Sequence, residues 1–594
     1  MGSHFHDMVI YQVYPKSFYD SDGDGVGDLR GIIEKVPYIA SLGVDMVWFN
    51  PFYPSPQRDN GYDVSDYTSI DPAMGSMKDF EELVAALAQH DIGVMLDMVL
   101  NHVSTQHEWF QKALAGDREY QDFFIIRPPA ADGGLPNNWE SKFGGAAWAP
   151  FGDTGNYYLH LFDVTQADLN WRNPRVREEM ANVVNFWASK GVHGFRFDVI
   201  NLIGKDDKLA SSPAGVDPRV MYTDGADVDK YLRELRGNSF GADPDSVTVG
   251  EMSSTSIERC VGYTNPANEA LDMVFNFHHL KVDYPGGKKW TLAPFDFAEL
   301  KRLFHAWSGG MQDGNGWSAL FWNNHDQPRA LDRFGDVEKY RTESATMLAT
   351  AIHAMRGTPF IYMGEEIGMV DPTYSSIADY VDVEACNAYQ ELVAGGMSKP
   401  EAFATVHSKA RDNARTPMPW DSSAHAGFTK GTPWLRPTSY DGSDGFTINV
   451  EEEQNGAILP FYRRLIALRK LLPAISVGRV DPWAPAHDRV YGYVRSLAGD
   501  VSGSAGDGAD TAGAAITNLC VLTNFYGEAT EVAIPENLQK GYVILDNYRA
   551  ETYRAASNPQ QALEMEIPQL QLADEASVTL KPYQAVIIAN QPLG

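Results

Sequence analysis

The chain has 594 residues, 44% of them hydrophobic, and sets 48 Lys and Arg against 79 Asp and Glu for a formal net charge of −31. Its length exceeds one compact core, so about two to four domains are expected, and its composition excludes overall disorder. The acidic balance excludes nucleic acid and anionic membrane as partners, since either calls for a basic face, and leaves a neutral small molecule or an anionic one held by a local cationic pocket.

The N-terminal segment MGSHFHDMVIYQVYPKSF has no basic stretch followed by a long apolar run, so no signal peptide is expected. No stretch approaches the roughly 20 apolar residues of a membrane span. Cys260, Cys386 and Cys520 are few, odd in number and widely spaced, which suits a reduced compartment. A cytoplasmic location is therefore expected.

Along the chain, short apolar runs alternate with helical patterns, the signature of β/α units. Strands are predicted at residues 9–13, 46–50, 93–99, 194–199, 247–252, 273–277, 319–323 and 359–362, with amphipathic helices such as 77–89 and 176–190 between them. Eight such strands fit a (β/α)8 barrel better than an open sheet. Just after the first strand, DSDGDGVGD (20–28) places acids at alternate positions among glycines. Hard oxygen ligands at that spacing suit Ca2+, although no Glu stands at the twelfth position as in an EF-hand.

Residues 102–173, rich in Trp, Gly, Pro and Asn, read as a small domain inserted after the third strand. The barrel then takes residues 1–101 and 174–480, with a second insertion at about 370–415 after the eighth strand. From residue 481 the pattern turns to β-like runs at 490–494, 518–524, 542–545 and 585–589, which predicts a C-terminal antiparallel β-sandwich domain over 481–594. Within it, residues 498–515 are rich in Gly, Ala, Ser and Asp and read as a surface loop.

Three acids stand at the ends of apolar runs: Asp198 in GFRFDVIN, Glu251 in VTVGEMSS and Asp326 in FWNNHDQPR. Burying a carboxylate is costly unless it is paired or used. One such acid is often structural; three are harder to dismiss, because the strand ends of a parallel barrel collect chemistry from distant parts of a chain.

With DMVLNH (97–102), QADLN (166–170), GFRFDV, GEMSS and NNHDQ in this order, the chain resembles glycoside hydrolase family 13, the α-amylase group. The resemblance implies a retaining mechanism, with Asp198 as nucleophile and Glu251 as acid/base. It makes Asp326 the third acid that grips sugar hydroxyls, and His102 and His325 binders of the glucosyl hydroxyls. Arg196, two residues before Asp198, would point to the same side of the strand and hold that carboxylate ionised. No cofactor is needed for this chemistry.

DNGYDVSDY (59–67) and SKARDNARTPMPW (408–420) resemble the exo-acting oligo-1,6-glucosidase branch. That likeness implies that Tyr62 stacks under the terminal glucose and that Asp59 and Arg411 pair to close the pocket around it. Val199, next to the nucleophile, matches the members that accept α-1,6 and related linkages. The same branch has a calcium loop after its first strand, which would make Asp20, Asp22, Asp24 and Asp28 side-chain ligands and Val26 a carbonyl ligand of a structural Ca2+.

The segment FNFHHLKVDYPGGKKWTL (275–292) brings Lys281, Lys288 and Lys289 into an otherwise acidic chain, beside His278, His279 and Trp290. It resembles trehalose-6-phosphate hydrolases, as do MYTDG (221–225), VGEMSSTS (249–256) and IYQVYPKSF (10–18). Lys288 stands where that group usually has an acid. Screening beyond about 8 Å means that a sugar phosphate would be held by cations at the site itself, and lysine is a common point-charge binder of phosphate. The resemblance thus implies hydrolysis of α,α-trehalose 6-phosphate to glucose and glucose 6-phosphate. An oligo-1,6-glucosidase acting on isomaltose or panose is the alternative, and a sucrose isomerase or other transglucosidase a further one. A non-catalytic barrel is set aside, because all three acids are kept. The expected partner is thus a small sugar or sugar phosphate, with no nucleic acid, no membrane and a monomeric chain.

Overall fold

The first barrel strand, Ile10–Val13, is buried at all four residues. A short apolar run covered on both faces is what a parallel sheet requires, and the same holds for Met46–Phe49 and Thr358–Tyr362. The structure, a computed structural model, describes residues 5–437, 447–497, 516–554, 556–565, 570–572 and 576–593. Eight parallel strands form one sheet: these three with Gly93–Met98, Gly194–Phe197, Val247–Glu251, Met273–Phe275 and Ala319–Leu320. Numbered along the chain, their spatial order is 6-5-4-3-2-1-8-7. A parallel bridge between Val274 and Ser318 joins the sixth to the seventh and closes the barrel. At the start of strand four, Gly194 allows close approach: a Cβ there would lie 2.5 Å from that of Met95 and 2.6 Å from the Met46 sulfur.

Helices between strands start where the sequence supplies caps. The Asp28 side chain accepts from the Gly31 amide to begin Leu29–Leu42, and Ser76 and Asp79 form a capping box on Met77–Ala88. Pro174–Ala188 starts with proline in its first turn, where a missing N–H costs nothing.

Strands two, three and five each end one residue before their predicted runs, and strands four, six and seven end further short, at Phe197, Phe275 and Leu320. The difference has a local cause at strand four. Val199 takes a left-handed conformation, φ 37° and ψ 39°, which a β-branched residue adopts only under constraint. The chain therefore leaves the ladder just where Asp198 must project.

After strand three the chain builds a two-stranded sheet, His102–Ser104 with Gln166–Asp168, and a three-stranded one of Ile126–Arg127, Tyr157–Leu159 and Trp148–Pro150. After strand eight come the helices Val383–Ala394 and Lys399–His407. In the C-terminal region a six-stranded sheet faces the pair Thr530–Ala533 and Ser577–Leu580. Its central strand Asn518–Asn524 alternates: Leu519 and Val521 join the main core shared with the barrel, while Cys520 and Leu522 join a separate cluster with Val532 and Leu580. Period-two alternation thus covers both faces of one sheet. The surface loop read at 498–515 lies outside the described residues. Cys260, Cys386 and Cys520 form no disulfide. Among the described residues no helix is long and apolar enough to cross a membrane.

Candidate active site

Strands three, four and five deliver Asp97, Arg196 and Glu251 to the carboxyl end of the barrel, and Asp198 follows one residue past strand four. Arg196 organises this group. Its Nη1 donates to Asp97 at 2.5 Å and to Asp198 at 2.8 Å, and its Nη2 contacts the Glu251 carboxylate. Asp198 and Glu251 thus share one guanidinium, a closeness that suits the carboxyl separation of about 5–5.5 Å in retaining glycosidases.

One cation among three buried carboxylates cannot hold all three ionised. Burial first, opposed by Arg196, raises Asp97 to about 6 and Asp198 to about 7. Burial likewise raises Glu251 to about 8, Arg196 opposing and Asp198 and Asp326 adding to the rise. The proton is therefore held most firmly on Glu251. An acid kept protonated beside one that ionises earlier is the division of labour that glycoside hydrolysis needs.

Asp326 lies in the loop after strand seven. Burial works against its charge, but His325, Arg411 and Arg415 together pull it well below the usual carboxylate range. Arg415 donates to it at 2.8 Å and Arg411 at 3.4 Å. The His325 ring receives the Gln12 amide at 3.0 Å and the Asn50 amide at 3.1 Å on Nδ1. Nδ1 therefore accepts and Nε2 carries the proton, 3.1 Å from Asp326. Burial depresses both His325 and His102 to about 4, so each is neutral at physiological pH.

Tyr62 stacks on His325 with ring centroids 5.2 Å apart, and its hydroxyl donates to Asp97 at 2.8 Å. The Asp59–Arg411 pair forms at 3.0 Å with both side chains buried. Arg411 also binds Asp382 and reaches Glu384 at 3.5 Å, so it anchors more than one wall. A cavity of about 230 Å³ lies over this group, and Asp59, Tyr62, His102, Val199, Asp198, Glu251, Asp326 and Arg411 all line it.

Of the three lysines, Lys281 and Lys289 line the cavity and Lys288 does not, being exposed on the turn beside them. Lys289 pairs with Glu384 at 2.6 Å. His278 and His279 turn to the core, packing on Trp307 and Phe321. Sequence reasoning missed Gln166, Arg415, Asp382 and Glu384. It also missed Lys142, whose Nζ donates to Ser253 at 3.0 Å across 111 residues. Gln166, which opens the QADLN motif, and Arg415, inside SKARDNARTPMPW, had a signal; the others had none.

In the 20–28 loop, Asp20, Asp22 and Asp28 each bring a carboxylate oxygen within 4.8 Å of the others, and Asp24 stands outside that group. Asp20 accepts from the Gly23 and Gly25 amides at 2.7 Å each. Gly25 has φ +98°, and a Cβ there would lie 1.9 Å from the Thr432 carbonyl oxygen, so the turn demands glycine. The donor set is entirely hard oxygen and suits a cation such as Ca2+.

A family profile described as "Alpha amylase, catalytic domain" matches residues 12–478. The chain is 45% identical over 583 residues to the trehalose-6-phosphate hydrolase of Bacillus subtilis (strain 168), covering 98% of this chain and 97% of that one. It is 49% identical over 493 residues to the trehalose-6-phosphate hydrolase of Escherichia coli (strain K12), covering 83% and 88%. The crystal structure of Bacillus licheniformis trehalose-6-phosphate hydrolase superposes with a TM-score of 0.86 at 44% identity, covering 99% of each chain.

Proposed function

This chain belongs to the α-amylase family of glycoside hydrolases, and from that premise we propose that it hydrolyses α,α-trehalose 6-phosphate to glucose and glucose 6-phosphate with retention at the anomeric carbon. The observation that carries the reading is the pair Lys281 and Lys289 on the wall of the same cavity as Asp198 and Glu251, in a chain of net charge −31. Lys289 is shared with Glu384, but among the described residues Lys281 has no carboxylate within 4.0 Å, and a neutral disaccharide would give it none.

In this reading the unphosphorylated glucose sits among Asp59, Tyr62, His102, His325, Asp326 and Arg411. Asp198 attacks its anomeric carbon while Glu251 gives its proton to the leaving oxygen, and glucose 6-phosphate departs. Glu251, now ionised, takes a proton from water, which displaces Asp198 and restores the α configuration. Asp326 and the neutral histidines hold ring hydroxyls most strongly as charge develops at the anomeric centre. Three free thiols agree with a cytoplasmic enzyme, and the reading treats the chain as a monomer.

The test is kcat/KM on trehalose 6-phosphate beside trehalose and isomaltose, with Lys281→Ala and Lys289→Ala in parallel. A lost charge-assisted hydrogen bond removes about 1.5–3 kcal/mol, so either variant is expected to lose roughly 10- to 100-fold on the phosphorylated sugar. Equal or better wild-type activity on isomaltose would move the protein to the oligo-1,6-glucosidases.

Asp20, Asp22 and Asp28, with the Val26 carbonyl and Asp24 at the margin, are proposed to hold a structural Ca2+. The three-carboxylate group and its hard donors support this. Asp20 and Asp28 also order the loop and cap a helix, so Asp22→Asn is the cleanest probe. Saturating calcium is expected to raise Tm by a few degrees, since a ligand at 100 times its Kd stabilises by about 2.7 kcal/mol. Chelation should reverse that rise, and Asp22→Asn should abolish it. A Tm indifferent to calcium would remove the metal from the proposal.

A further inference from the structure

The inserted domain sets a cation against a residue of the cavity wall. Lys142 donates from Nζ to the Ser253 hydroxyl at 3.0 Å, and Ser253 lines the cavity two residues beyond Glu251. The leaving sugar must lie on the side of Glu251, because that carboxyl protonates the leaving oxygen. The same ammonium stands 5.3 Å from the ring centroid of Tyr222, the last residue of the short helix Pro218–Tyr222, which also carries Arg219. Three separate loops therefore bring Lys142, Arg219 and Lys281 to one place, the last from the turn after strand six.

We propose that Lys142 and Lys281 together form the seat of the substrate's phosphate, with Arg219 at its outer edge, so that the inserted domain takes part in selecting a phosphorylated leaving sugar. This rests on the substrate reading above. Among the described residues, neither lysine ammonium lies within 4.0 Å of a carboxylate, although the chain has 79 acids. Arg219 is bound to Asp217 at 2.9 Å and is thus the least available of the three.

The local electrostatics favour an anion. Lys142 is pulled down to about 8 by burial first, then by Lys281 and Arg219, with Asp217 and Glu251 acting against them. Burial, Arg219 and Lys289 lower Lys281 as well. Two ammonium groups without carboxylate partners repel each other, and Lys142, half-buried, also loses hydration; both effects cost folding energy. A phosphate dianion between them relieves both the repulsion and the desolvation, whereas a neutral sugar relieves neither.

The experiment compares trehalose 6-phosphate with 4-nitrophenyl α-glucoside, whose leaving group carries no phosphate, in the wild type, Lys142→Ala and Lys142→Arg. The ratio of the two kcat/KM values is expected to fall about tenfold or more in Lys142→Ala, through KM, and to recover substantially in Lys142→Arg. The wild-type KM for trehalose 6-phosphate should also rise as pH passes about 8, where the Lys142 ammonium loses its proton. An unchanged ratio in Lys142→Ala, with both substrates falling together or neither falling, would overturn the assignment and leave Lys142 as a prop for Ser253. A wild type with no preference for trehalose 6-phosphate over trehalose would instead refute the substrate reading, independently of any variant.

Discussion

Asp198→Asn is expected to lower kcat/KM on trehalose 6-phosphate by roughly 10⁴-fold or more, the scale on which removal of a covalent nucleophile acts. The amide keeps the shape and the hydrogen bond capacity but cannot form the glycosyl intermediate. Unfolding would not account for such a loss. Asp198 crowds Asp97 and Glu251 around a single guanidinium, and burial holds its pKa up at about 7. Removing one of three mutually repelling carboxylates should therefore leave Tm unchanged or raise it, as happens where a site trades stability for activity. Activity assays with thermal melts on the same preparation check both halves. A variant that retains a tenth of wild-type activity would remove Asp198 from the nucleophile's role.

Glu251→Gln is expected to cost about 10²- to 10⁴-fold on the natural substrate, the usual contribution of general acid–base catalysis. On 4-nitrophenyl α-glucoside the departing phenolate needs no proton, so the first step should suffer less and the hydrolysis of the intermediate more. An initial burst of nitrophenol would reveal that shift. The pH profile supplies an independent reading. The free enzyme is active when Asp198 has lost its proton and Glu251 still holds one. Activity should then rise with pH through the lower pKa of the pair, near 7, and fall through the upper, near 8. These are values of the pair as a whole, because the two carboxyls interact. Gln cannot titrate, so the alkaline limb should vanish in the variant while the acid limb stays. A wild-type alkaline limb that survives in Glu251→Gln would assign that titration to another group.

Much of the barrel was legible because its signals are local. Each of the eight predicted strands contains most of an observed one, since a run of four or five apolar residues needs only itself to declare a buried strand. The ends were less legible. The runs at 194–199 and 319–323 continue past Phe197 and Leu320, where the ladder stops, because strand ends depend on how the following loop is held. In the site, Asp59 and Arg411 could be named from their motifs, whereas Lys142 could not. A lone lysine in a polar loop is indistinguishable from a solvated one until its neighbour 111 residues away is known. Lys288 shows the converse: it was named for its place beside Lys289, at a position where the resembled group usually has an acid, and the turn leaves it exposed and off the cavity wall.

The alternation of β and α units, the three carboxylates that follow apolar runs and the acidic loop after the first strand are each written within a few consecutive residues and could be read from them directly. Only the folded chain shows that Arg196 serves Asp97, Asp198 and Glu251 at once, that burial raises the proton affinity of both Asp198 and Glu251, and that the inserted domain sets Lys142 against Ser253, two residues past the acid/base. Those outcomes depend on burial and on distances between residues far apart in the chain. Both are properties of the assembled packing, because a carboxyl's proton affinity is set by how much water and how many charges surround it.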